Sequence, residues 1–158
     1  MMLSQKTKYA LKALVSLARE GDGRAVVAGA LAAQERIPRQ FLELILLELK
    51  HHGLLRSRRG RGGGYSLNRP ARDISIGQVI RLFDGPLALV GCASQTAYVP
   101  CAECEDVPAC NIRAVFKEVR DQTAGILDGI SLADVSLRPA STEIALHTTN
   151  SSASGERR

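Results

Sequence analysis

The run LLRSRRGRGGGYSL, residues 54–67, restricts the architecture of this chain more than any other. Two short segments with strand character flank a turn in which Gly60, Gly62, Gly63 and Gly64 crowd together, so the backbone there can adopt the positive-φ conformations of a hairpin loop. Glycine-rich loops can also cradle nucleotide phosphates, but this one lacks the lysine and following helix of a P-loop. Arg56, Arg58, Arg59 and Arg61 fall within six residues of the same hairpin. Cations clustered on a protruding loop suit contact with a phosphate backbone, and Gly62 and Gly63 would let the main chain approach a phosphate or a minor groove closely.

Three helical patterns precede the hairpin. From Ser4 to Glu20, Leu11, Leu14, Val15 and Ala18 recur at i, i+3, i+4, i+7, and the Gly21–Gly23 turn ends the segment. Residues Val26 to Gln34 form a short Ala-rich second helix, followed by a turn at Glu35 to Ile37. The third helix starts with Pro38, whose missing N–H is no loss in a first turn, and runs to His52. Its buried stripe is Leu42, Ile45, Leu46 and Leu49, and Gly53 stops it. His51 and His52 complement the dipole at its C-terminal end.

Three helices followed by a two-stranded hairpin are the parts, in order, of a winged helix-turn-helix, so the fold class is mainly α with a small β wing. In that arrangement the third helix enters the major groove. Arg39 and Gln40 lie in its first turn and can each make paired hydrogen bonds, arginine to guanine and glutamine to adenine, while Glu43 could accept from a cytosine amino group or pair with Arg39. Charge supports the same partner. The formal charge of +5 divides into 15 Lys/Arg against 7 Asp/Glu over residues 1–84, and 6 against 9 over residues 85–158. A basic excess confined to one end indicates a polyanion-binding face. If about four cations contact phosphate, log K should fall with log salt at a slope of roughly −3 to −4.

After a short helix from Ile74 to Phe83, capped by Ser75 and broken at Asp84-Gly85-Pro86, the composition changes. No Lys or Arg occurs between Arg81 and Arg113, and an irregular loop there holds all four cysteines, Cys92, Cys101, Cys104 and Cys110. Glu103, Glu105 and Asp106 make the loop acidic. A long helix begins near Asn111, with Ile112, Val115, Phe116, Val119 and Ile126 on one face opposite Arg113, Lys117, Arg120 and Asp121, a pattern that invites dimerisation. A short helical piece, Ser131 to Val135, follows. The expected organisation is a DNA-binding domain (1–84), a sensory cysteine loop (85–110), a dimerisation helix with a short terminal helix (111–136), and a disordered Ser/Thr-rich tail (137–158).

No apolar run is long enough to span a membrane and the first residues lack a signal-peptide pattern, so a cytoplasmic protein without membrane contact is expected. No Cys/His or Ser/His/Asp constellation argues for an enzyme. In a reducing compartment, four clustered thiols favour metal or redox chemistry over disulfides. Cys101 and Cys104 form a CxxC, and the set suits an iron-sulfur cluster or a four-thiolate zinc site equally well. A metal-binding protein-interaction module is the rival of another class.

The segments LSQKTKYALKALVSLA, IPRQFLELILLELKHHGLL, RSRRGRGGGYSL, ISIGQVIRLFDGPLAL and GILDGISLADV, over about residues 2–136, together resemble the Rrf-two (Rrf2) family of bacterial winged helix-turn-helix regulators. The resemblance implies a homodimeric repressor of palindromic promoter sites. It also implies a cluster, 2Fe-2S or 4Fe-4S, on loop cysteines, or in cluster-free members a thiol-based or zinc-stabilised regulator of sulfur metabolism. Relatives that bind a cluster keep three loop cysteines; Cys92, Cys104 and Cys110 are the nearest counterparts, with Cys101 as an additional ligand. The relatives' fourth ligand does not carry over, because Lys8 stands where one branch has an aspartate and Arg113 where another has a histidine.

Overall fold

The computed structural model of the protein describes residues 2–21, 23–102, 104 and 106–139. Helices α1 (Gln5–Arg19), α2 (Ala28–Glu35) and α3 (Arg39–His51) precede a hairpin of β1 (Leu55–Arg58) and β2 (Gly64–Leu67); α4 (Ile76–Asp84), α5 (Asn111–Gly129) and α6 (Leu132–Leu137) follow. The expected tail beyond Pro139 lies outside the described residues, and Leu137, assigned to that tail, ends α6.

Ser4 caps α1 by accepting the Thr7 N–H at 3.1 Å, satisfying one of the donors that a helix start leaves unpaired. The core-facing stripe of α1 is centred on Ala10, Ala13, Leu14 and Leu17, with Leu11, Val15 and Ala18 at its margin. Alanines can lie at the centre of a close helix contact that larger side chains could not enter, which rotates the face away from the most apolar letters. The recognition segment turns at Arg36, a non-glycine residue in the left-handed region (φ 55°), whose N–H closes α2 on the Ala33 carbonyl. Pro38 precedes α3 as its cap residue, and its carbonyl accepts from Leu42 at 3.0 Å. Leu42, Ile45, Leu46 and Leu49 are fully buried as expected.

Val26 does not open α2. Its N–H and carbonyl pair with those of Tyr65 at 2.8 Å each, so it lies antiparallel beside β2. The hairpin register sets Leu55 opposite Leu67 and Arg58 opposite Gly64. Gly64 has φ +144°, and a β-carbon there would strike the Val26 carbonyl; one at Gly63 would strike the Arg58 carbonyl. These two glycines are therefore required by the folding of the hairpin itself.

The chain's final turn returns to its beginning. Ile76 N–H donates to the Ile130 carbonyl and Leu132 N–H to the Ile74 carbonyl, both at 2.9 Å, joining the entrance of α4 to the entrance of α6. A capping box between Ser131 and Asp134 starts α6, which packs on α1 and buries Leu132 completely. Burying such a leucine contributes about 1.5–3 kcal/mol. At the other joint, Arg81 on α4 grips Asp128 on α5 through two hydrogen bonds of 2.6 and 2.8 Å. Gly77 allows this approach, since a β-carbon there would collide with the Asp128 carboxylate.

Candidate DNA-binding face and thiol pocket

At the start of α3, Arg39 and Gln40 are exposed, and Arg39 Nε donates to Glu43 Oε1 at 2.8 Å. Glu43 therefore engages Arg39 in the chain without DNA, leaving it less free to accept from a base. Phe41, Leu44 and Leu47 on the same helix are also substantially exposed. Arg58, Arg59 and Arg61 are exposed on the hairpin and form no ion pair among the described residues. Gly60 and Gly62 take positive φ at the tip, and nothing lies within 4 Å of where a Gly62 β-carbon would be, whereas Gly63 is packed inside the turn.

Arg56 is aimed differently from its neighbours. Its Nε donates to the buried Ser66 hydroxyl at 3.1 Å, and it shares with Arg24, Arg58 and Gly62 a polar cleft of about 530 Å³ between the hairpin and the loop after α1. Arg24 was not among the sequence-derived candidates. A lone arginine after the Gly21–Gly23 turn has no recognisable pattern, and only the pairing of Val26 with Tyr65 brings its segment to the hairpin.

The four cysteines meet in one place. Cys92, Cys101, Cys104 and Cys110 all line a largely apolar pocket of about 380 Å³ walled by Val90, Val99 and Ile112, with Arg113 at its side. Cys110 is the cap of α5, its Sγ accepting the Arg113 N–H at 3.4 Å. That backbone bond, outweighing desolvation and assisted by Cys104, Ile112 and the Arg113 charge, holds the Cys110 thiol below its ordinary pKa. Cys104 moves the other way, pushed up to about 11, first by its hydrogen bond with Cys101 and then by desolvation, with Cys110 adding to the effect. Neighbouring thiols and desolvation together produce this rise.

Arg113 does not join the polar face expected for α5. Its Nε donates to the Cys92 carbonyl at 2.9 Å and so fastens the start of the cysteine segment to the helix. The donor set and shared pocket suit a soft-metal group, yet among the described residues no three Cys, His, Asp or Glu side chains converge closely enough to hold a metal ion. Ligation would therefore have to draw the thiols inward.

Helix α5 presents Ile112, Val115, Val119 and Ile126 outward, each between 42 and 69% exposed. Spaced by three, four and seven residues, they form a seam of the kind that packs against another helix. Phe116, expected in this stripe, is half-buried instead, and Arg120, expected on the polar face, is buried. Among the described residues no helix is long and apolar enough to cross a membrane.

A profile described as Rrf2, iron-dependent transcriptional regulator, matches residues 3–137. An HTH-type protein of Rhodobacter capsulatus, named as rrf2-like, is 44% identical over 137 residues, covering 85% of this chain and 91% of that one. An HTH-type protein of Mycobacterium tuberculosis is 40% identical over 138 residues, covering 85% and 81%. Among solved structures, CymR, the global cysteine regulator of B. subtilis, superposes with a TM-score of 0.71 at 27% identity, covering 86% of this chain and 96% of CymR. T. potens IscR gives 0.67 at 27% identity, covering 85% of each. These relatives are regulators rather than enzymes, and the winged-helix fold agrees with them: this chain belongs to the Rrf2 family of DNA-binding transcriptional regulators.

Proposed function

We propose that this regulator is a cytoplasmic homodimeric repressor whose thiol pocket takes an iron-sulfur cluster, 2Fe-2S or 4Fe-4S, on Cys92, Cys101, Cys104 and Cys110. The observation that carries this reading is the meeting of all four thiols in one pocket, at the helix that bears the exposed apolar seam. When bound, such a group supplies a centre sensitive to iron supply, oxidants and nitric oxide. The chain's own residues do the rest: Cys110 caps α5, Arg113 ties Cys92 to that helix, and Arg81 ties α5 to α4 through Asp128. Ordering the loop would thus bear on the angle between α5 and the DNA-binding core.

On the DNA side, Arg39 and Gln40 read bases in a palindromic promoter site, while Arg58, Arg59 and Arg61 contact phosphate and Gly62 lets the hairpin tip come close. Arg56 holds the hairpin's flank through Ser66, Arg24 adds its charge to the same cleft while paired with Glu20, Gly63 preserves the turn, and Glu43 positions Arg39. Cluster and DNA should then show a reciprocal coupling of about 1–3 kcal/mol.

Anaerobic purification tests the cofactor reading: brown protein with visible absorption and matching iron and sulfide is expected, and colourless protein with stoichiometric zinc would overturn it. A second reading is favoured by the position of Cys104 beside both Cys101 and Cys110 and by the likeness to Staphylococcus aureus CymR, solved in an oxidised form (29% identity, TM-score 0.67). There, two thiols would close to a disulfide, passing two electrons and two protons to an oxidant such as a peroxide. Colourless, metal-free protein whose DNA affinity responds to dithiothreitol would select that reading.

A further inference from the structure

Helix α3 carries three large apolar side chains in solvent, and packing accounts for one of them. Phe41, 43% exposed, sets its ring edge-on to that of Tyr9 on α1, with centroids 5.9 Å apart. Leu44 and Leu47, 64% and 53% exposed, are not part of the core. At about 100° per residue they share with Gln40 a sector of roughly 60° that points directly away from the buried stripe of Leu42, Ile45, Leu46 and Leu49. The flanks of this sector are cationic or neutralised. Arg39 and Lys50 are exposed near its two ends, and the carboxylates of the helix, Glu43 and Glu48, are paired with Arg39 and Lys6. A polyanion that displays methyl groups matches both the charge and the leucines. The major groove of DNA is such a surface, because each thymine places its C5-methyl group there.

We propose that Leu44, backed by Leu47, reads thymine through its C5-methyl group. This role rests on α3 being the helix that enters the major groove, and it adds an apolar reader to the hydrogen-bonding pair Arg39 and Gln40. The spacing suits it. Leu44 lies one turn beyond Gln40, about 6 Å along the helix axis, which is roughly two base-pair steps of about 3.4 Å. A helix whose first turn hydrogen-bonds guanine or adenine therefore presents Leu44 to a base pair within the same half-site. Contact between the leucine and the methyl removes both from water, and it separates thymine from cytosine, which carries no methyl.

Selecting a preferred site from random duplexes with the full chain, then replacing its thymines one at a time by uracil, tests this, since uracil differs only in lacking the methyl. Affinity measured by fluorescence anisotropy should fall about three- to fivefold at one or more thymines in each half of the site and stay unchanged at the others. Leu44→Ala should bind the thymine-containing site several-fold more weakly and become indifferent to uracil at those positions, the non-additivity expected of two groups in contact. Leu44→Met should keep the uracil penalty, as should Arg39→Ala. Because Leu44 is exposed, each Leu44 variant should retain the parent far-UV circular dichroism and melting temperature. A preferred site bound equally well with uracil at every position, or a uracil penalty that persists in Leu44→Ala, would overturn the role of Leu44 while leaving Arg39 and Gln40 as readers. A raised dimer dissociation constant in that variant would then give the face to a second copy of the chain. Absence of any preferred sequence would overturn this role and the base-reading role of α3 together.

Discussion

The DNA-binding core and the cysteine segment are built on opposite principles. In the core, leucines from α1, α3, the hairpin and α6 close on one another and each element is capped or bridged. From Leu89 to Cys110 the described residues hold one short helical turn, Gly91–Ala93, and four thiols, none of them fully buried, share one pocket. One region derives its shape from burial and is fixed. The other has little to bury, so its shape can depend on what the thiols bind. The proposed sensing would draw on both: a rigid reader, and a segment whose free energy is small enough for a ligand to redirect.

The sharpest contrast should appear in stability. Leu46→Ala, at a fully buried site on α3, should lower unfolding free energy by about 2–5 kcal/mol in chemical denaturation, whereas Cys104→Ser in the metal-free protein should change it by less than about 0.5 kcal/mol. Equal losses would mean that the loop is as structural as the core. Next in size is the exposed seam of α5. Val115→Glu together with Val119→Glu should raise the dimer dissociation constant about a hundredfold in sedimentation equilibrium while leaving far-UV circular dichroism unchanged. A dimer that survives would place self-association elsewhere.

On the reader, Arg58→Ala with Arg59→Ala should weaken binding by a similar factor across DNA sequences and make the salt slope shallower by about 2; Arg39→Ala should instead cost about 1–3 kcal/mol on the preferred site and relax base preference. Fluorescence anisotropy at several salt concentrations separates these outcomes. The smallest effect belongs to the joint between the regions. The Arg81 hydrogen bond and charge, against some desolvation, hold the Asp128 carboxyl below its usual range. Its contribution is therefore complete above the unfolded carboxylate pKa of about 3.9 and is lost as pH falls through the lower folded value. Since both side chains are partly exposed, it should amount to no more than about 1 kcal/mol, and Asp128→Asn should remove that acid dependence from the urea midpoint between pH 5 and 2.

Strong periodicity and turn chemistry made most of the core legible from the amino-acid order. The α3 stripe, the hairpin and the Ser75 cap lie where the pattern put them. Val26 was misplaced in a helix because an Ala/Val-rich run satisfies either element, and only its hydrogen bonds to Tyr65 decide between them. The four cysteines were conspicuous, but their shared pocket depends on how Arg113 folds the loop against α5. Arg113 and Arg120 look like solvated charges in any helical projection. Which side of α5 is covered depends on the loop and on α4, and that information is not periodic; the same blindness put Phe116 in the outer seam and hid the return of α6 to α1.

That return has a consequence for how the protein is made. The inner face of α1 stays incomplete until Leu132, synthesised more than a hundred residues later, reaches it. A nascent chain emerging from the ribosome can form its helices and the hairpin early. It cannot close its hydrophobic core before the cysteine segment and α5 have also emerged, so the long-range contact that completes the reader comes after the cysteine segment has left the ribosome. Translation order alone would then give the thiols an interval in which to acquire a ligand before the reader is complete.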